Sequence, residues 1–255
     1  MSRYRSGLLI SIVFVCFVLC TFIVTRVSSL QNPDNKLLAV RENQEEATHI
    51  REGVLSAKQR AHGKLFKHNG PKLRDLAKQM AGPIEVVSDV GLVLDNTPIP
   101  GNPLEGATCN ADAVVVGVTR GKASQVNEEG NFIFTDLDVT VEEVVKNNPL
   151  SGIEPNQLVS VTRPGGAVEF GGRVFRARRE DFKPTPVGRR YLFFLKYVPE
   201  TQSYLAYGNG TFELNDKKVA GLGDAPELRA FESKDPATLL GEVRTFAAAA
   251  CPTNK

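Results

Sequence analysis

Tryptophan is absent from the 255-residue chain, and histidine occurs only as His49, His62 and His68. All three histidines precede residue 107. The remainder lacks the imidazole that Ser-His-Asp or Cys-His nucleophilic catalysis requires. His62 and His68 have no third ligand near them in sequence, so they read as solvated helix residues rather than a metal site. Charge of one sign is not in excess: 31 basic residues face 29 acidic ones, for a net charge of +2. No global field therefore marks nucleic acid or an acidic partner. Gly165-Gly166 and Gly171-Gly172 lack the spacing of a phosphate loop and read as turns. The acid pairs Asp136/Asp138, Glu142-Glu143 and Glu180-Asp181 fit the wet faces of strands, where neighbouring side chains point apart. No catalytic, metal or cofactor residue is assigned.

What the chain does have is one long uncharged run, GLLISIVFVCFVLCTFIVT, from Gly7 to Thr25. Its roughly 19 residues are long enough to cross a hydrocarbon core. Apolar residues surround it, leaving no polar stripe to face water. Arg3 and Arg5 precede it and Arg26 follows, which places the amino terminus in the cytoplasm and exports the rest. Two readings stay open. An uncleaved signal anchor gives a single-pass membrane protein, whereas cleavage near Val27-Ser28-Ser29 gives a secreted one.

Residues 1–30 are thus expected to form the anchor, residues 31–106 a partly helical stalk with a proline-rich linker, and residues 107–255 the folded domain. In the stalk, Ile50, Val54, Ala57 and Ala61 recur at helical spacing, and residues 71–81 suit a short helix closed by Gly82-Pro83. A strand is expected over 86–94. Asn96-Thr97-Pro98-Ile99-Pro100-Gly101-Asn102-Pro103 reads as linker.

Beyond Cys109 the apolar period becomes two. Strands are expected over 111–119, 132–145, 158–162, 167–175, 191–197, 204–207 and 211–214. Many short strands at this spacing predict a mainly β fold, a closed antiparallel barrel or sandwich. At the end, Asp235 suits an N-cap and Pro236 the first helical position. Leu239, Val243, Phe246, Ala247 and Ala250 share one apolar face. Cys16 and Cys20 fall in the uncharged run, leaving Cys109 and Cys251 exported. Oxidising conditions favour a bridge between those two; two separate thiols are the alternative.

One local charge cluster stands out: Arg173, Arg176, Arg178, Arg179, Lys183, Arg189 and Arg190, opposed by Glu180 and Asp181. It suits an anionic glycan, a lipid headgroup or an acidic protein. A solvated basic loop is the plain alternative. Asn209-Gly210-Thr211 is a glycosylation sequon or a turn.

Three segments resemble netrin-like domains, the group that includes tissue inhibitors of metalloproteases. Cys109-Asn110-Ala111-Asp112-Ala113-Val114-Val115-Val116-Gly117 is similar to their first barrel strand. Thr140-Val141-Glu142-Glu143-Val144-Val145-Lys146 is similar to a strand ending in a lysine-containing turn. Gly188-Arg189-Arg190-Tyr191-Leu192-Phe193-Phe194-Leu195 is similar to a later strand. The resemblance covers about residues 109–197 and implies an OB-like five-stranded barrel. It also implies a departure, because those inhibitors grip zinc through a free amino-terminal cysteine, and Cys109 matches an internal one. The expectation is a membrane-anchored, extracytoplasmic, non-enzymatic binding module. It engages the bilayer through the run from Gly7 to Thr25, together with a protein or an anionic glycan or lipid, and no nucleic acid. The alternatives are an envelope enzyme or protease inhibitor, and a structural envelope protein.

Overall fold

Period-two alternation builds a ring of strands, and residues 55–87 and a helix near residue 240 pack against it. A computed structural model describes residues 48–49, 55–87, 91–92, 102–170, 172–178, 183–222, 230–249 and 251. In chain order its elements begin with β1 (Thr48–His49), α1 (Ala57–Gly63), β2 (Phe66–Lys67), α2 (Leu73–Gln79), β3 (Ile84–Val87), β4 (Gly91–Leu92) and α3 (Pro103–Asn110). β5 (Ala113–Val126), β6 (Ile133–Lys146), β7 (Leu158–Pro164), β8 (Gly166–Phe170) and β9 (Arg173–Arg178) follow. β10 (Arg190–Val198), β11 (Ser203–Leu214), β12 (Val219–Gly221) and α4 (Pro236–Ala248) complete them.

Strands β10, β5, β6, β7 and β11 are hydrogen-bonded in that order, and β10 also pairs with β11, so the five close into a ring. The fold is mainly β, with a C-terminal helix, as the alternation indicates. The ring is not wholly antiparallel. β11 runs parallel to β7, with Tyr204 opposite Val161 and Leu205 opposite Thr162. β11 reaches β7 only after the chain has left through β8, β9 and β10, so it re-enters in the same direction. Val115, Leu137, Val139, Val161, Tyr191 and Phe193 fill one buried cluster. The opposite faces of the same strands carry Val114, Val116, Leu192 and Phe194. These pack with Leu239, Leu240 and Val243 of α4.

Four elements differ from the sequence reading. The strand expected over 167–175 is a hairpin, β8 and β9, with Gly172 at φ +71° between them. The strands expected over 204–207 and 211–214 are one strand, β11. Its register against β10 jumps between Phe193 and Leu195, an irregularity that accommodates the Asn209-Gly210 region. α3 replaces the end of the linker. Asn102 accepts a hydrogen bond from the Leu104 N–H at 2.9 Å, and Pro103 occupies the first turn. Cys109 therefore lies near the end of a helix rather than opening a strand. It is bridged to Cys251 with Cα atoms 5.4 Å apart.

The fourth difference is the segment read as stalk. Its longest described stretch, residues 55–87, packs against the ring and the β8–β9 hairpin. Phe66 packs with Phe132, Phe134 and Leu205, and Leu73 and Ile84 pack with Ile133, Val168 and Phe175. β3 and β1 extend the β8–β9 hairpin into a four-stranded sheet. The apolar residues that do this are too sparse for a helical stripe, because each enters from a different element. The run from Gly7 to Thr25 lies outside the described residues; among those described, no helix is long and apolar enough to cross a membrane.

The β5–β6 seam is close enough to require glycine at one point. A Cβ on Gly117 would stand 2.6 Å from Val139 Cγ1 and 2.8 Å from the Thr140 carbonyl oxygen. Gly117→Ala is expected to cost on the order of 1–3 kcal/mol, read as a lower urea midpoint at unchanged slope.

Candidate functional site

α1 begins with a reciprocal cap. Ser56 Oγ accepts from the Gln59 N–H at 3.2 Å, and Gln59 Oε1 accepts from the Ser56 N–H at 2.8 Å. Two turns later His62 enters the ring wall with 0% of its surface exposed. Its Nδ1 lies 2.8 Å from Asp136 Oδ1 of β6 and 2.9 Å from Thr162 Oγ1 of β7. Its Nε2 lies 2.7 Å from Ser203 Oγ of β11 and 3.1 Å from Thr201 Oγ1 in the preceding turn. One imidazole thus ties three ring strands to the amino-terminal segment.

The donor assignments follow from chemistry. A carboxylate only accepts, so Nδ1–H donates to Asp136, and in the neutral ring Nε2 accepts from the Ser203 hydroxyl. Thr162 Oγ1 donates to the same carboxylate oxygen at 2.5 Å. Thr201 Oγ1 lies 2.6 Å from Ser203 Oγ, and either hydroxyl can donate to the other. Both ring nitrogens of His62 and the hydroxyls of Thr162, Thr201 and Ser203 have partners, as buried groups require.

Ser203, His62 and Asp136 therefore have the connectivity of a nucleophile, base and orienting carboxylate. The sequence reading excludes such an arrangement because residues 107–255 hold no histidine. The structure corrects it by supplying His62 from the segment before the ring. His62 is accordingly not a solvated helix residue. Access is a separate matter. Ser203 is 1% exposed and Asp136 17% by side chain, so α1 covers the hydroxyl that a substrate would have to reach.

The basic residues named from sequence are spread over several elements. Arg173 and Arg176 lie in β9, where Arg173 donates to the Met80 carbonyl. Arg178 ends β9, and Arg179 lies outside the described residues. Lys183 donates to the Gly221 carbonyl at 3.0 Å and pairs with Glu232 at 3.3 Å. Arg190 pairs with Glu142 at 2.6 Å, and Arg189 precedes it at the mouth of β10. Lys183 and Arg190 already have acidic partners, which lowers the free positive charge of the set.

Two further ionisable groups are built into the frame. Lys146 Nζ donates to the carbonyls of Thr108, Cys109 and Ala111 at 2.9, 3.1 and 2.6 Å, closing the C-terminus of α3. Burial pulls this amine below its usual range, against the attraction of Asp112. Tyr191 is enclosed in the ring and donates to the Pro186 carbonyl at 3.2 Å. Burial, seconded by Glu213, pushes its phenol well above the ordinary value. An unfolded tyrosine ionises near pH 10. Below that pH both states keep the proton; above it the unfolded chain loses a proton that the fold retains, so stability falls as pH rises. Tyr191→Phe is expected to flatten the alkaline decline in urea midpoint above about pH 10. An unchanged slope contradicts that assignment.

The loop from β6 to β7 is braced by its own amides. Asn147 Oδ1 accepts from the N–H groups of Asn148 and Ile153, both at 2.9 Å, and its Nδ2 donates to the Ile153 carbonyl at 3.1 Å. Buried Asn148 accepts from the Leu150 N–H at 2.9 Å. Tyr204 Oη donates to the Ser151 carbonyl at 3.0 Å. Ile153 plugs into the ring cluster, while Leu150 is 79% and Leu158 60% exposed.

Sequence reasoning misses His62 because its partners are 74 to 141 residues away. Its nearest local signal is the Ser56/Gln59 capping box, which marks a helix start but not what the helix buries. Among the described residues, no group of three or more His, Cys, Asp or Glu side chains is placed to hold a metal ion. Comparison of the chain with protein-family models finds no matching family, and comparison with curated proteins finds no match.

Proposed function

We propose that this chain is a membrane-anchored, extracytoplasmic, non-enzymatic binding module whose ring is an OB-like barrel of the netrin-like type. The run from Gly7 to Thr25 holds it in the bilayer, and its working partner is a protein. The five-stranded ring with its C-terminal helix and the Cys109–Cys251 bridge support the barrel reading, since a Greek-key ring of five strands is the OB arrangement. One observation carries the function: the ring interior is filled by Val115, Leu137, Val139, Val161, Tyr191 and Phe193, each at most 1% exposed. A partner meets the outer faces and loops, where binding needs no catalytic cleft. The absence of tryptophan and the small net charge disfavour nucleic acid.

The test is recovery of a complex with the full-length chain from its own membranes, followed by its reassembly from purified components. A stoichiometric complex supports the reading. The absence of any saturable binding, with the domain folded and exported, overturns it. Replacing Arg173, Arg176, Arg178 and Arg179 together by serine then reports whether the basic residues contribute.

A second reading, an acyl-transfer enzyme, is favoured by the 2.7 and 2.8 Å distances that link Ser203 through His62 to Asp136. A fluorophosphonate probe discriminates. The binding module stays unlabelled, whereas an enzyme is labelled at Ser203 or Thr201 and loses that label in His62→Gln.

A further inference from the structure

We infer that the mouth of the ring beside Tyr191 is a site for a small carboxylate, held by the hydroxyls of Thr119 and Thr185 in the field of Arg163. The inference does not rest on the binding-module reading.

Backbone and side-chain bonds bring these residues to one end of the packed interior. Residues 183–188 cross that end as a strap. Arg163 follows Val159 and Val161 on the inner face of β7 and donates to the Lys183 carbonyl at 2.7 Å. Tyr191 donates to the Pro186 carbonyl at 3.2 Å. Thr185 lies between those two fastenings, 3% exposed, with exposed Pro184 before it and half-buried Pro186 after it. Thr119 belongs to the wall that the strap meets. Its carbonyl accepts from the Gly188 N–H at 2.7 Å, and its own N–H donates to the Arg189 carbonyl at 3.1 Å. It stands opposite Val139 across the β5–β6 seam, so its side chain shares the inner face with that valine. Gly117, on the same face of β5, stands opposite Tyr191.

Thr119 is 0% exposed, and among the described residues neither its hydroxyl nor that of Thr185 has a hydrogen-bond partner. Buried hydroxyls are paired as a rule. Valine has the same shape without the polar atom, so a dry wall would hold valine at both positions. The charges select the occupant. Arg163, itself 7% exposed, and Arg189 both act on the Tyr191 phenol, and Glu213 opposes them. Two guanidinium groups against one carboxylate favour a single added negative charge. Hydroxyl donors in turn suit a group that only accepts, and charge-assisted bonds to such a group are the stronger kind. Size sets the limit: Val139 and Tyr191 are fully buried at the site, which restricts the occupant to a few heavy atoms, on the scale of acetate.

The test titrates the purified full-length chain, in detergent, with sodium acetate against sodium chloride at the same ionic strength. It reads the thermal midpoint and the heat of binding. The expected result is a saturable rise in midpoint with acetate that chloride does not give. Acetate binding should be roughly tenfold weaker or worse in the variant carrying Thr119→Val and Thr185→Val. Without acetate, that variant should melt at or above the wild-type temperature, because the buried hydroxyls are gone; this separates lost binding from lost folding. Thr185→Ser, which keeps its hydroxyl, should bind acetate as the wild type does, and loss of binding there overturns the site. No saturable response to acetate, or one that the double valine variant keeps in full, also overturns it, the hydroxyls then holding an ordered water only. Tighter binding of inorganic phosphate than of acetate overturns the choice of a carboxylate.

Discussion

Replacing His62 with alanine is expected to lower the stability of the domain by about 3 kcal/mol, or roughly 1–2 M in urea midpoint. The side chain itself is small; the cost comes from what it leaves behind. Asp136 loses its charge-assisted donor inside the wall, and Ser203 loses its acceptor. A buried pair broken from one side is more costly than the pair is worth, because the remaining charge stays desolvated. α1 has seven residues and buries only His62 and Gly63, and a helix that short is marginal without such an anchor. The same substitution should therefore free residues 55–63 to rapid amide exchange while the ring strands stay protected. Asp136→Ala is expected to cost a similar amount, and the double variant less than the two singles together, by at least about 1 kcal/mol. A His62→Ala variant within about 0.5 kcal/mol of wild type, or additive effects, would remove His62 from the centre of the clasp.

The second large effect belongs to the bridge. Cys109→Ser with Cys251→Ser is expected to cost about 3–5 kcal/mol, because the bridge closes a loop of 142 residues. Helix α4 should suffer first. It holds the ring through Leu239, Leu240 and Val243, and the bridge fastens the chain just past its last turn to the end of α3. Denaturation monitored with and without reductant checks this. Identical midpoints, or alkylatable thiols at Cys109 and Cys251 in the untreated protein, overturn it.

How much of this was legible in sequence depends on how local each cause is. β6 was readable because Leu137, Val139 and Val141 alternate with Asp138, Thr140 and Glu142, and the strand obeys that alternation. α4 was readable because Asp235 and Pro236 state its start; Thr238 bonds to Asp235 as an N-cap should, and holds that carboxyl below its usual range. The same pair of signals, Asn102 then Pro103, opens α3. There it is hidden by the prolines before it, which make the whole stretch look like linker. The parallel β7–β11 seam has no local signature, because a strand's direction depends on the path that brought it there. The clasp is the extreme case. A histidine on a short polar helix carries no mark of the aspartate and serine that will meet it. The loop at 147–157 lies between: its asparagines and prolines signal turns, yet the bonds of Asn147 depend on where Ile153 sits.

The clasp also fixes an order of events during synthesis. His62 leaves the ribosome long before the surface that receives it. Asp136 follows 74 residues later and Ser203 141 residues later, and at about 5–20 residues per second the wait is several seconds or more. The part of the early segment around His62 and Phe66 must wait, and its contacts are complete only when β11, made late, has supplied Ser203 and Leu205. Contacts this distant in sequence slow folding through the entropy of closing long loops. A nascent chain arrested before residue 203 should accordingly leave residues 55–67 open to protease, although every residue of that segment has already been made.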